Sequence, residues 1–515
     1  MNALIRRPAA VACRLRAAMK PLPMSPVDAA WYHIDGPANT AVITGILLTR
    51  RPLDFDRVRA VYTQRLAQFE RFSQRVVERG LALATPHWER MPGFEIGQQL
   101  HHIALPAPGD RGALAALVSD LASTPLDRAR PLWDVHVVDG VDGGSALITR
   151  MHHCIGDGTA NVLVARALFD ASPTGWRTAV APAAPQPSEH SAQPGPIERL
   201  FAPAIDAAGW SVGQLRAAIG GAIDAATHPG QLAEKAGLIL AGAGTLAAEL
   251  LKKADPRSPL KGEFGLGKRV AWSEPVAIAD VKAIGAPLGA KVNDVLVAAM
   301  SGALRHYLKR RGVDVDHITV RAMVPVDLRP PERAAELGNY FGLVILELAV
   351  GAGDPLARLR RTKARMDELK RSPEAVAVLA LFDIFGRAPK ALEDFAVQLF
   401  GTKASVVMTN VAGPRQTLYL AGVPIEQVMF WVPHPGRELG MGISILSYRG
   451  HATLAVVADA HLVPDPEAIT GRFRHEFAAM QSAVQRRGRR LTAAATVPRR
   501  VAANRSATAA HRGRS

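Results

Sequence analysis

Apolar residues recur along this chain at two spacings, and each spacing predicts a different element. Residues 145–151 (SALITRM) form a short, mostly apolar or β-favouring run, which predicts a buried strand. Residues 159–169 carry apolar side chains at helical period, and Gly156 and Gly158 between the two runs predict a tight turn. Upstream, Val58, Val61, Leu66, Phe69 and Phe72 fall on or near one face of a helix expected over 57–79. Downstream, strands are expected at 268–272, 319–326 and 341–348, with strand composition again at 404–409, 441–448 and 452–458. Helices are expected at 278–286, 292–311 and 354–370. Strands and helices mixed in both halves point to an α+β architecture, two mixed sheets with covering helices and a site between them.

Composition changes sharply between the halves. Residues 171–196 turn to Pro, Ala, Ser and Gln, which reads as a linker, and 197–253 are Ala-rich, expected to be helical with a break near Pro229-Gly230. A Pro-Arg-Ser-Pro stretch at 256–259 punctuates the chain again. The expected division is an extension at 1–21, a first folded unit at 22–170, linker and connecting helices at 171–267, a second unit at 268–480 and a tail at 481–515. Between 236 and 251 lies the longest apolar segment, too short at 16 residues to span a bilayer, for which about 20 are needed.

Charge and cysteine content narrow the classes. The net charge is +16, but nine arginines and no acid lie in 481–515, leaving +7 for the rest. That tail has no apolar period and is expected to be disordered; its arginines suit either solubility or anionic lipid head groups. No aromatic residue interleaves them, so no specific nucleic-acid partner is expected. The two cysteines, Cys13 and Cys154, give no disulfide framework, and a reducing cytoplasm is the default. Basic residues break the apolar core that a signal peptide would need in 1–20. With no HExxH and no paired Cys-x-x-Cys, no metal site is expected.

The candidate chemistry sits where the first strand ends, in His152-His153-Cys154-Ile155-Gly156-Asp157-Gly158. Neighbouring strand residues face opposite ways, so one histidine can meet a substrate while the other faces the scaffold. A neutral imidazole near pH 7 can take a proton from a hydroxyl attacking a carbonyl and return it to the leaving group. His153 is assigned that role and His152 a supporting one. Asp157 either orients the imidazole or swings away to hold the loop through an arginine. Cys154 is read as a small packing residue.

HHCIGDG resembles the HHxxxDG motif of acyltransferases similar to chloramphenicol acetyltransferase. Pro131-Leu132-Trp133 resembles the PLW motif, and Asn293-Asp294 the ND motif, of the bacterial wax ester synthase/diacylglycerol acyltransferase family within it. The segments MSPVDAAWYHIDGP from Met24, HHIALPAPG from His101, MVPVDLRP from Met323, GNYFG from Gly338 and TNVAGP from Thr409 are similar to that family in the same order, over roughly 22–480.

The resemblance implies two chloramphenicol-acetyltransferase-like lobes with a solvent channel through their interface. It implies transfer of a long-chain acyl group from acyl-coenzyme A, a substrate rather than a cofactor, to diacylglycerol or a long-chain alcohol. The enzyme would work in the cytoplasm, free or peripheral on a membrane or lipid inclusion. Asn293 is then a candidate oxyanion donor or positioner of the base, or the cap of the helix near Asp294. Arg329 is the expected partner of Asp157, unless it is a loop arginine in solvent. Trp133 is expected to pack beneath the site, with Pro131 fixing the approach and Gly158 the turn. Thr409 and Asn410 either cap backbone groups or line the acyl-donor channel, and His101-His102 is read as structural. A condensation-type enzyme taking its acyl group from a carrier protein, and an inert protein coating lipid inclusions, are the alternatives.

Overall fold

Two mixed sheets, each buried by apolar runs, carry the fold in a computed structural model that describes residues 21–78, 85–177, 254–330, 333–370, 401–434 and 438–496. In chain order the principal strands are β1 (Val42–Thr49), β2 (Leu100–Ala104), β3 (Trp133–Val141), β4 (Gly144–His152), β5 (Lys268–Trp272) and β6 (Val320–Asp327). They continue with β7 (Phe341–Leu348), β8 (Val406–Ala412), β9 (Gln427–Trp431), β10 (Met441–Tyr448) and β11 (His451–Asp459). The helices are α1 (Pro26–Ile34), α2 (Phe55–Leu66), α3 (Arg111–Ser123), α4 (Gly158–Leu168), α5 (Ile278–Gly285), α6 (Val292–Arg310), α7 (Pro355–Leu369) and α8 (Glu467–Thr496). The first sheet runs β9-β1-β4-β3-β2 and the second β7-β6-β8-β10-β11-β5. Each mixes parallel and antiparallel neighbours. The fold is α+β, two lobes of the expected kind.

Local chemistry explains the element ends. Ser25, Asp54, Asp110, Asp157 and Asp354 each cap a helix by accepting a backbone N–H two or three residues into it. At α6 the side chain of Asp294 reaches back to the N–H of Lys291 at 2.8 Å. β4 lies between β1 and β3, and only Thr149 within it is not fully buried, which is why its sequence is a continuous run rather than an alternation. α6 runs through the core of the second lobe with Val295 to Met300 all buried.

Several joints among the described residues bind the lobes, three of them through the backbone. Strand β9, from the second half of the chain, pairs with β1 and completes the first sheet, Trp431 opposite Thr44. On α3, the hydroxyls of Ser119 and Ser123 accept the N–H groups of Val270 and Lys268 at 3.1 and 2.8 Å, covering the free edge of β5. The backbones of Ile155, Asp157 and Gly338 exchange two hydrogen bonds of 3.2 Å.

Several expectations are corrected. The helix expected over 57–79 stops at Leu66, because Phe69 is extended; a 3-10 turn at Glu70–Ser73 follows, then a strand at Gln74–Val77 paired with His87–Arg90. Gln74 and Val76 are its buried positions, a period of two that the helical reading of Phe69 and Phe72 obscured. Within the second unit expected at 268–480, strand β9 belongs to the first sheet. The tail is not disordered from 481. Phe473, Phe477, Met480 and Ala483 keep one buried face, so α8 continues to Thr496 with Arg486, Arg487 and Arg489 exposed on it. The remainder of the tail, the linker and connecting helices across 178–253, and the apolar segment at 236–251 lie outside the described residues. Among the described residues no single helix is long and apolar enough to cross a membrane.

Candidate active site

The end of β4 sets the site. His152 is its last residue, and the N–H of His152 is taken by the carbonyl of Leu132 at 2.9 Å. Trp133 next to it is buried, with its indole N–H donated to the Phe72 carbonyl at 2.9 Å. Gln99 donates to the carbonyl of Pro131 at 2.9 Å, so the Pro131-Leu132-Trp133 segment is held from both sides. At His153 the strand gives way to a 3-10 turn, His153–Ile155. The two imidazoles part company there.

His152 turns into the scaffold. Its Nδ1 accepts the N–H of Cys154 at 3.1 Å, and its Nε2 faces the Asp35 carboxylate at 3.7 Å. Burial alone would raise the pKa of Asp35, but His152, the Ala41 N–H and Arg128 together hold it below the ordinary carboxylate value.

His153 faces the other way, among residues of both lobes. Its ring stacks on Trp31 of α1 with centroids 3.8 Å apart, and Phe341 at the start of β7 stands 5.7 Å away on a tilted plane. Asn339 meets Nδ1 at 3.0 Å through its side-chain oxygen, while its amide nitrogen donates to Asp28 and to the His153 carbonyl, both at 2.8 Å. Nε2 meets no hydrogen-bonding partner among the described residues. The side chain is 9% exposed, and burial pushes its pKa down to about 4 despite the opposing charge of Asp157. At neutral pH it is therefore an uncharged base.

Asp157 does not orient the imidazole. The Nη2 of Arg329 reaches both its oxygens, at 2.8 and 2.9 Å, the Tyr340 N–H donates at 2.9 Å, and the Ala160 N–H takes the cap position at 3.0 Å. Arg329 and Asp157 are both buried, so Arg329 is not a solvent-exposed loop residue. Nearby, burial and then the charge of Asp157 raise the pKa of Asp327, which accepts from Thr159 at 2.7 Å. The glycines differ from expectation. Gly158 opens α4 with room for a side chain, whereas a Cβ on extended Gly156 would lie 2.4 Å from that of Ala160. Close approach, rather than a tight turn, is what requires glycine here.

Asn293 is buried in the first turn of α6 but is not its cap, since Lys291 holds that position and Asp294 closes it. Its side-chain oxygen accepts from Asn410 of β8 at 2.7 Å, and its Nδ2 is buried with no hydrogen-bonding partner among the described residues. That is a free donor of the type an oxyanion needs, yet no contact among the described residues joins Asn293 or Asn410 to His153. Thr409, beside Asn410, is half-buried on β8. His102 pairs with Asp139 at 2.7 Å on the surface, far from this chemistry in role.

Asp28, Trp31, Asn339 and Phe341 were not singled out from the sequence, although all four lie within segments that carried the family resemblance. Spacing along the chain does not say which side chains converge across two lobes. Among the described residues no group of three or more His, Cys, Asp or Glu could hold a metal.

Cys154 is fully buried and its thiol is pushed well up by burial. Native protein is expected to resist iodoacetamide at Cys154 and to react there only when denatured. Peptide mass spectrometry reads this directly, and rapid native labelling at Cys154 would contradict the packing described.

The chain matches the wax ester synthase/diacylglycerol acyltransferase catalytic domain over residues 24–296 and the WS/DGAT C-terminal domain over 337–481. It is 29% identical over 407 residues to a probable diacylglycerol O-acyltransferase of Mycobacterium tuberculosis, covering 78% of this chain and 82% of that protein. To a second, putative diacylglycerol O-acyltransferase of the same organism it is 28% identical over 473 residues, covering 87% and 94%. Its fold is similar to that of a wax ester synthase/diacylglycerol acyltransferase from Marinobacter aquaeolei VT8, with a TM-score of 0.63, 21% identity, and coverage of 90% of this chain and 99% of the other. The first condensation domain of the calcium-dependent antibiotic synthetase is similar at a TM-score of 0.56, with 16% identity and coverage of 90% and 97%.

Proposed function

Because this chain belongs to the wax ester synthase/diacylglycerol acyltransferase family, and is an acyltransferase on that ground, we propose that it moves a long-chain acyl group from acyl-coenzyme A to the hydroxyl of diacylglycerol or of a long-chain alcohol. The observation that carries the reading is His153, buried and uncharged, with one ring nitrogen engaged and the other without a hydrogen-bonding partner among the described residues. Nε2 takes the hydroxyl proton as that oxygen attacks the thioester carbonyl. The tetrahedral intermediate needs a donor for its oxyanion, and the unpartnered Nδ2 of Asn293 is the candidate. Collapse breaks the carbon–sulfur bond, and the thiolate takes the proton back from Nε2. Atoms balance with no covalent enzyme intermediate.

Work at a lipid surface on the cytoplasmic side belongs to the same reading. Arg486, Arg487 and Arg489 ride exposed on the end of α8, where anionic head groups would attract them.

The test is thiol release from palmitoyl-coenzyme A with hexadecanol, dipalmitoylglycerol or no acceptor. Release that depends on an acceptor, with the matching ester on thin-layer chromatography, is the expected result. No release with any acceptor from folded protein would overturn the reading and point to a carrier-bound donor.

The acid limb gives a second check. Above its lowered pKa His153 is neutral and able to accept a proton; below it the base is lost. kcat/KM is therefore expected to hold well below pH 6.5 and to fall only as pH nears about 4. Thioester absorbance measures it, with circular dichroism at each pH to confirm folding. A limb near 6.5 in folded protein would contradict the environment assigned to His153.

A further inference from the structure

The side chain of Asn339 stands between two groups that never touch each other, Asp28 on α1 and His153 at the end of β4. Its orientation is settled by what surrounds it. The amide nitrogen sits 2.8 Å from a carboxylate oxygen of Asp28 and 2.8 Å from the backbone oxygen of His153, both of which can accept. Turned over, the amide would set oxygen against oxygen at both places and lose both bonds. Its oxygen therefore faces Nδ1 of His153, at 3.0 Å, and an amide oxygen can only accept. The proton on the neutral ring must then be on Nδ1, which leaves the lone pair on Nε2. All three residues are buried.

We propose that Asp28 and Asn339 are positioning residues for the acyl transfer: a buried relay, Asp28 to Asn339 to His153, fixes the Nδ1–H tautomer and steadies the ring when Nε2 takes the substrate proton. The proposal rests on the reading of His153 as the base. In the step itself the hydroxyl proton moves to Nε2, the Nδ1 proton stays in place, and the ring carries one positive charge until Nε2 returns its proton to the departing thiolate. During that interval Nδ1–H donates more strongly to the Asn339 oxygen. The Asn339 amide in turn donates to Asp28, so the carboxylate is felt at the ring through a neutral spacer. An aspartate in direct contact would favour imidazolium in the resting enzyme and spoil the free base; a neutral amide leaves the ring uncharged until the reaction charges it. The other charged or titratable groups coupled to this cluster among the described residues are Asp157, His152, Arg71 and the buried thiol of Cys154. Asp157 is saturated by Arg329 and two backbone N–H groups, and His152 is held by Cys154 and faces Asp35. Burial raises the pKa of Asp28, against the lowering effect of Asn339, Ser25 and Arg71, the last of which lies over the Trp88 ring at 4.1 Å.

The experiment combines steady-state kinetics with the tautomer itself. In full-length protein labelled with 15N-histidine, the His153 signal is assigned by its absence in His153→Ala. Wild type is expected to carry its ring proton on Nδ1, and Asn339→Leu to show a mixture or the other tautomer. Asn339→Leu should lower kcat by roughly 10- to 100-fold with KM within about threefold, because a misplaced proton removes competent base without touching substrate. Asp28→Asn, which keeps an oxygen for the Asn339 amide but removes the charge, should lower kcat by about 10-fold or less with the Nδ1 proton retained. If folding of Asn339→Leu fails, the near-isosteric Asp28→Asn and the wild-type tautomer still decide the matter. A wild-type proton on Nε2 overturns the relay. So does Asn339→Leu with its Nδ1 proton and kcat unchanged while His153→Ala is inactive. An active His153→Ala would instead remove the base on which the proposal stands.

Discussion

Replacing His153 by alanine is expected to lower kcat by roughly 100- to 10,000-fold, the usual contribution of a positioned acid–base group, while acyl-coenzyme A still binds. The reason is geometric. Trp31 covers one face of the ring, Asn339 holds Nδ1, and Nε2 has no hydrogen-bonding partner among the described residues, where no neighbouring group is placed to take over the proton. His152, the nearest alternative by sequence, has its Nδ1 committed to the Cys154 N–H and its Nε2 turned to Asp35. The measurement is thiol release with saturating acceptor, beside binding of a non-hydrolysable acyl-coenzyme A analogue. Full turnover by folded His153→Ala would remove the mechanism.

Asp157→Ala should damage the protein in a different way. Asp157 caps α4, accepts the Tyr340 N–H and pairs with buried Arg329, all at one carboxylate. Removing it strands a buried guanidinium, a change of about 3–5 kcal/mol where such pairs are broken from one side. The thermal midpoint should fall accordingly, and activity with it, because the Gly338 loop that carries Asn339 is tied to this carboxylate through Tyr340. Arg329→Met, which leaves no stranded cation, should cost less than Asp157→Ala. Equal midpoints for wild type and Asp157→Ala would mean that the joint contributes nothing to stability.

Much of this was legible before any coordinates. Strands β4 and β7 are mostly apolar runs, and such runs announce themselves wherever a strand is buried on both faces. The motif fixed the position of His153 and separated it from His152 through the simple alternation of a strand end. β1 and β9 were not placed, because β9 has no meaning until β1 lies beside it. That pairing is a property of the assembled sheet, not of either segment. Asn339 was equally hidden. An asparagine after a glycine reads as a turn residue, and here the glycine is indeed at positive φ (110°), but the side chain spans to two partners from distant parts of the chain. The role of Asp157 lay open between two readings, and only the place of Arg329 decides between them. The arginines at 486–490 misled in the opposite sense: charge density suggested disorder, while the face below them still had a core to cover.

Strand β9 bears on how this protein is made. A nascent chain that has finished β1 to β4 holds a sheet with a bare edge at β1, and it must wait for most of the second half to be synthesised before Trp431 can close it. The first half is then an unfinished sheet with an aggregation-prone border for much of translation. A first half made alone would lack the strand that completes its sheet. Made side by side, the two halves would have the means to complement each other, with β9 as the donated strand.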